Sequence, residues 1–203
     1  MNTREKISVI LMCLGIILAL LPLTGSRSFI VKPQKVLAEA LDEKSWFTVD
    51  QVARFVTSED TSVLLIDLRS PAEFSELNIP GSVNIPYGQF IDIAPGTIPG
   101  TGNMKNILYS NGDIDANNAY VIAKGLKINN IYVMKGGLNE WFNTVINSRF
   151  TGERISAREN ALYENRKKAA IMFSEINSLP DSLKRRYYEA RLVAAKKLDG
   201  GCE

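Results

Sequence analysis

LLIDLRSPAEFSELNIPGSVNIPY, residues Leu64 to Tyr87, is the stretch on which the fold turns. It opens inside a continuous apolar run, SVLLIDLR from Ser62 to Arg69. That run has strand length and ends in charge, as a strand buried on both faces of a parallel sheet requires. A helix follows at once. Pro71 sits just inside its start, where the missing N–H would have had no partner, and Glu73 lies in its first turn, where the helix dipole favours negative charge. Pro80 and Pro86 then forbid helix around themselves, so IPGSVNIPY returns extended.

Working outward, TVDQVARFV offers Thr48 as an N-cap with Gln51 three residues on. This is a capping box ahead of an apolar-periodic helix through Val52, Phe55 and Val56. Downstream, NILYS reads as the next buried strand and DIDANNAYVIAKGLK as the next helix; IYVMKGG and LNEWFNTVI repeat the pair. Strand and helix alternate over about a hundred residues, which predicts a small α/β domain with a mainly parallel central sheet flanked by helices and right-handed crossovers. Residues 45–150 would form it. Ligands of such sheets bind outside the carboxyl ends of the strands, where Arg69 and Ser110 both stand.

Composition narrows the chemistry. The 203 residues, 45% apolar, suffice for one core with appendages. The 24 basic residues nearly balance the 22 acidic ones, so no broad field steers toward nucleic acid and no such partner is expected. Histidine is absent, which rules out Ser-His-Asp and Cys-His mechanisms and removes the commonest transition-metal ligand. Cys13 and Cys202 stand at opposite ends of the chain with no ligand spacing. Neither a metal nor another cofactor is expected, and no disulfide within the domain.

Both ends differ from the middle. MNTREK precedes about seventeen uncharged, mostly apolar residues from Ile7 to Leu23, close to the shortest run that crosses a bilayer. With Arg4 and Lys6 as the flank that stays inside, residues 1–28 read as a signal anchor or a signal peptide. Thr24 and Ser26 would allow cleavage after Ser26, whereas the length of the run suits an anchor. The domain is then expected outside the cytoplasm, periplasmic or extracellular, tethered to the membrane if the segment stays and secreted if it is cut. Cys13, mid-run, reads as a lipid-facing or core thiol. Residues 29–44 read as a linker, with VLAEALDEK a short helical turn.

From residue 151 to 203 strand signals vanish and a helical extension is predicted. Ser156 and Glu159 form a capping box, Pro180 breaks the helix, and Leu183, Tyr187, Ala190 and Ala194 share one face of a second helix. The pair either packs on the domain or serves as an arm for a protein partner or a membrane surface. Cys202 sits on flexible glycines at the end.

LLIDLRSPAEFSELNIPGSVNIPY resembles the segment of rhodanese-like domains that runs Asp-x-Arg, Glu-Phe, Ile-Pro-Gly-x-x-Asn-Ile-Pro, and MKGGLNEW resembles their closing Gly-Gly turn and Trp-bearing helix. The likeness spans roughly Trp46 to Ile146. It implies the rhodanese-like α/β fold and a loop, after the strand NILYS, that in the family carries a persulfide-forming cysteine and usually an arginine. In this chain that loop is Ser110, Asn111, Gly112, Asp113, Ile114, Asp115 and Ala116. The cysteine position falls on Ser110 and the arginine on Asp115. The mid-loop glycine falls on Asp113, with Gly112 one place early, and the histidine before Ile-Pro-Gly falls on Asn78. Asp67 and Arg69 match the pair that holds the loops in place.

These departures remove sulfur transfer from the loop. A thiol is a few per cent thiolate at neutral pH, whereas a serine hydroxyl without a base stays neutral, and oxygen cannot hold a transferable sulfane sulfur. Asp113 and Asp115 repel thiosulfate or phosphate. The related phosphatases also need an arginine six residues after the cysteine, and position 116 is alanine. A serine hydrolase would have only Asp113, Asp115 or Lys135 as bases. The two aspartates have a plainer explanation, that acids at a helix start satisfy free amides and the dipole. Expected, then, is a membrane-tethered, catalytically silent rhodanese-like module that binds or scaffolds. The alternative is a sulfurtransferase that carries sulfur on Cys202, from its own or a neighbouring chain.

Overall fold

The computed structural model of the chain describes residues 2–20, 31–92, 104–150 and 156–198. The Gly- and Pro-rich stretch IAPGTIPGTGN, residues 93–103, which by composition reads as a surface loop, the cleavage positions Thr24 and Ser26, and Cys202 lie outside the described residues.

Helix α1, Thr3–Leu20, takes up most of the apolar run. Among the described residues no helix is long and apolar enough to cross a membrane. Three of the eighteen residues of α1, namely Arg4, Glu5 and Lys6, are charged, and the last residues of the apolar run lie beyond those described.

The stretch read as a linker is folded. Helix α2 spans Pro33–Ala40 with Pro33 at its start, and Val36 is buried. A short 3-10 turn, Glu43–Ser45, leads from it into β1, Trp46–Phe47. Sequence alone missed β1 because two residues are too few to show a period of two; the helical turn read over VLAEALDEK overlaps α2 at Val36 to Ala40, but one buried apolar residue gave no sign that it packs on the domain. What fixes α2 is tertiary: the Trp46 indole N–H donates to the Ala40 carbonyl, and the Ser45 hydroxyl bonds the Tyr120 hydroxyl at 2.8 Å.

Helix α3, Val49–Thr57, starts at the predicted capping box, with Gln51 N donating to Thr48 Oγ1 and Thr48 N donating to Gln51 Oε1. The remaining elements are β2 (Val63–Asp67), α4 (Pro71–Glu76), β3 (Ser82–Asn84), α5 (Tyr87–Asp92) and β4 (Lys105–Tyr109). Next come α6 (Asp113–Gly125), β5 (Ile131–Met134) and α7 (Gly137–Trp141), which runs into a π-helical turn, Phe142–Ile146. The five strands pair in parallel in the order β1-β5-β4-β2-β3. All residues of β2 are buried, as the apolar run demanded.

The two-residue period of the strands divides the core into two layers. Leu64, Ile66, Leu108, Ile131 and Val133 face α5 and α6, where Ala116, Ala119 and Ala123 let the helix lie close to the sheet. Val63, Leu65, Ile107, Tyr109 and Met134 face α3, α7 and the C-terminal region. There α8, Ala157–Asn177, begins at the Ser156–Glu159 capping box and puts Ala169 and Phe173 into the same layer as Trp141. Arg166 grips Asp50 of α3 with two hydrogen bonds of 2.6 and 2.7 Å.

Helix α9, Asp181–Leu198, follows Pro180. Its contact face is one residue off the predicted one: Leu183 and Ala190 are exposed, whereas Lys184 is buried and the Tyr188 ring lies tilted 5.2 Å from that of Phe74. Periodicity alone cannot distinguish these faces, because a tyrosine and a lysine stem cover apolar surface as well as leucine does.

Candidate functional site

Ser110 stands immediately past the carboxyl end of β4 and is buried, and α6 begins three residues later. Its backbone is clamped from the other side by the Gly136-Gly137 turn. Leu138 N donates to the Ser110 carbonyl at 2.9 Å and Asn139 N to that of Asn111 at 3.0 Å. Gly137 has φ of +57°, and a side-chain carbon there would lie 2.5 Å from the Ser110 oxygen. Only glycine permits both the conformation and the approach, which is the physical reason for MKGG at this spacing.

The hydroxyl of Ser110 donates to Asp115 Oδ2 at 3.2 Å. Asp113 does not cap its own helix; its Oδ1 accepts the N–H of Gly136 across the loop, and the N-cap Gly112 has no side-chain bond to the helix. The expectation that both aspartates serve the α6 amides is corrected: each bonds a group outside the helix, and both keep a favourable place by the dipole. Asn111 Nδ2 donates to Glu73 Oε1 at 3.0 Å. The other oxygen of Glu73 closes the α4 capping box on Ser70. Glu73 thereby latches α4 to the loop, and hydrogen bonds from the Ser70 hydroxyl, Asn111 and the Ser70 amide hold its carboxyl below the ordinary value. Ile114 crowns the loop, 76% exposed.

Arg69 does not offer its charge to this loop. Its Nε and Nη2 bind the fully buried Asp67 at 3.0 and 2.6 Å, and Nη2 also donates to the Leu77 carbonyl at 2.7 Å. Burial alone would lower the guanidinium; hydrogen bonding and charge from Asp67 outweigh that and hold it above its usual value. Asn84 Nδ2 ties the Asp67 and Arg69 carbonyls together. The pair therefore pins the β2–α4 loop to the end of α4. Beside it the Tyr109 hydroxyl donates to Ser82 Oγ and accepts from Ile79 N, and burial pushes it well above the ordinary phenol value.

Lys135, considered as a base for Ser110, instead lines a neighbouring cleft that includes none of residues 110–116. Asn78, at the family's histidine position, is fully buried. Its N–H donates to Asn177 Oδ1 and its carbonyl accepts from Asn177 Nδ2, both at 2.9 Å. The Tyr188 hydroxyl donates to Asn78 Oδ1. Sequence reasoning found neither Glu73 as a latch nor this asparagine–tyrosine knot, since their partners lie up to 110 residues apart. Among the described residues no group of three or more acids or thiols is placed to hold a metal.

The fold and loop define a rhodanese-like α/β domain, and comparison gives the same result: residues 48–144 match the family model of the rhodanese-like domain. The chain carries a rhodanese-like domain. Over 41 residues it is 39% identical to a thiosulfate:glutathione sulfurtransferase of Saccharomyces cerevisiae, a match that covers 20% of this chain and 30% of that relative. A human single-domain sulfurtransferase superposes with a TM-score of 0.43 at 18% identity, covering 49% of this chain and 96% of that one. A single-domain sulfurtransferase of Saccharomyces cerevisiae superposes with 0.42 at 22%, covering 49% and 89%.

Proposed function

We propose that this chain is a catalytically silent rhodanese-like module, tethered to a membrane through its N-terminal helix, that binds or scaffolds rather than transfers sulfur. One observation carries the reading: the position at the end of β4 holds an alcohol whose hydrogen bond goes to Asp115. Sulfane sulfur transfer needs a thiolate to attack, a sulfur atom to carry, and donors to receive the oxyanion. Here oxygen replaces the sulfur and carboxylates of Asp113 and Asp115 flank the place where the anion would dock. Arg69, the nearby cation, is neutralised by Asp67.

The test is thiosulfate-to-cyanide and persulfide-transfer turnover of the full chain beside Cys202→Ala. No turnover above background in either protein is expected. Turnover that disappears in Cys202→Ala would replace this reading with a terminal sulfur carrier.

The tether rests on the apolar run from Ile7 with Arg4 and Lys6 before it. Carbonate-washed membranes should retain the intact chain, and mass spectrometry of its amino terminus should find no cut after Ser26. Release by the wash would end the tether proposal and leave the silent-module reading untouched.

A further inference from the structure

At the carboxyl ends of β1 and β5, across the Gly-Gly turn from the Ser110 loop, lies a cleft of about 530 Å³. That volume is within the range of small-molecule sites, roughly 300–1,000 Å³. It is lined by Ala40 and Leu41 at the end of α2, Glu43, Trp46 and Phe47 of β1, Thr48 and Gln51 at the start of α3, and Lys135 after β5.

Most of the polar groups of this lining are already occupied. The indole N–H of Trp46 donates to the Ala40 carbonyl, so the polar edge of the indole is engaged within the protein. Thr48 and Gln51 bond each other in the α3 capping box. Two charges are left, Glu43 and Lys135. Lys135 is exposed, and among the described residues it enters no ion pair. Its backbone is held by the bond from Lys135 N to the Phe47 carbonyl at 2.9 Å, which roots the cation in the sheet. Glu43 stands on the connecting 3-10 turn, before the sheet begins. Leu41 is 76% exposed at this site, an apolar side chain left in water beside a cation.

We infer that this cleft is a second ligand site, separate from the Ser110 loop, for a small organic anion with an apolar body. The body would cover Leu41 and Trp46, and the carboxylate or sulfonate would pair with Lys135. An ammonium beside apolar walls attracts an anion more strongly than it would in open water, because the walls exclude part of the screening solvent.

The probe is 1-naphthoate, titrated calorimetrically into the full chain in detergent, with 1-naphthylmethylammonium as the cation of matching shape. Wild type and Lys135→Gln are compared, so partition into detergent cancels. Saturable one-to-one binding of naphthoate is expected, weakened roughly tenfold or more in Lys135→Gln and retained within about threefold in Lys135→Arg. The ammonium should bind at least about tenfold more weakly. Unsaturable binding, equal affinity in Lys135→Gln, or equal affinity for the ammonium through Glu43 would each overturn the inference. Lys135 and Leu41 are exposed, so Lys135→Gln and a second variant, Leu41→Ala, test the site without threatening the fold. Leu41→Ala should weaken naphthoate while leaving its preference over the ammonium.

Discussion

Ser110 differs from cysteine by a single atom, yet on the proposed reading supplying that atom should not by itself create sulfur transfer. In Ser110→Cys the thiol would face Asp115, which already accepts the hydrogen bond of the hydroxyl, and a neighbouring carboxylate disfavours the thiolate and repels an incoming anion. Thiosulfate turnover of Ser110→Cys is expected to stay within about tenfold of background. Turnover typical of a working sulfurtransferase would show that the loop charge matters less than argued. Asp67 makes the opposite case, a charge whose removal is costly. Asp67→Ala leaves the Arg69 guanidinium buried without its partner, and breaking a buried pair in this way costs on the order of 3–5 kcal/mol. Chemical denaturation should show a loss of that size. Asp67 and Arg69 were legible as a pair through the resemblance of their Asp-x-Arg to that of rhodanese-like domains. Their burial was not, since it depends on Leu77 and Asn84 closing over them.

At the scale of elements, two short contacts decide where α4 and α8 sit. Glu73 latches α4 to Asn111, and its carboxyl is held below the ordinary value near 4.5 by bonds from the Ser70 hydroxyl, Asn111 and the Ser70 amide. A group depressed on folding contributes stability that is fully present above its unfolded value and is lost as pH falls through the folded one. Glu73→Gln should therefore be less stable than wild type at pH 7, and the difference should shrink as pH drops below about 4.5. Urea midpoints of both proteins across pH 3 to 7 check this; a difference that grows in acid would contradict it. Asn177 acts differently, lending its amide to both backbone groups of Asn78 as a strand partner would. Asn177→Ala orphans one buried donor and one buried acceptor, at about 1–3 kcal/mol each. The capping boxes of α3, α4 and α8 were all visible or half visible in sequence because they are local. The latch and the knot were not, because nothing in a window of a dozen residues contains both partners.

At the scale of the whole molecule, α8 belongs to the domain it follows. Ala169 and Phe173 complete the layer built on Trp141, Val52 and Ile107, and the ring of Phe173 lies 5.6 Å from that of Phe142. Phe173→Ala should lower stability by roughly 3–5 kcal/mol, as large-to-small changes in a core do. A chain ending before Ser156 should expose that layer and aggregate or bind a hydrophobic dye. A truncated domain as stable as the full chain would show that α8 is an accessory. An arm for a protein partner would thus have to use the outer faces, where Ile171, Leu183 and Val193 are exposed.

Local patterns were enough, by themselves, to determine the strands buried on both faces, the helix starts and the prolines that bend the return to β3. Each depends only on the order and spacing of neighbouring residues. Tertiary structure alone decided that α2 packs on α6 and α8 on α3 and the π-helical turn, that α9 turns Lys184 and Tyr188 inward, that Glu73 closes on Asn111, and that Lys135 lines a cleft apart from the loop. Those outcomes follow from burial and hydrogen bonds between residues far apart in the chain, which compete for the same surfaces and are settled only when the whole core forms.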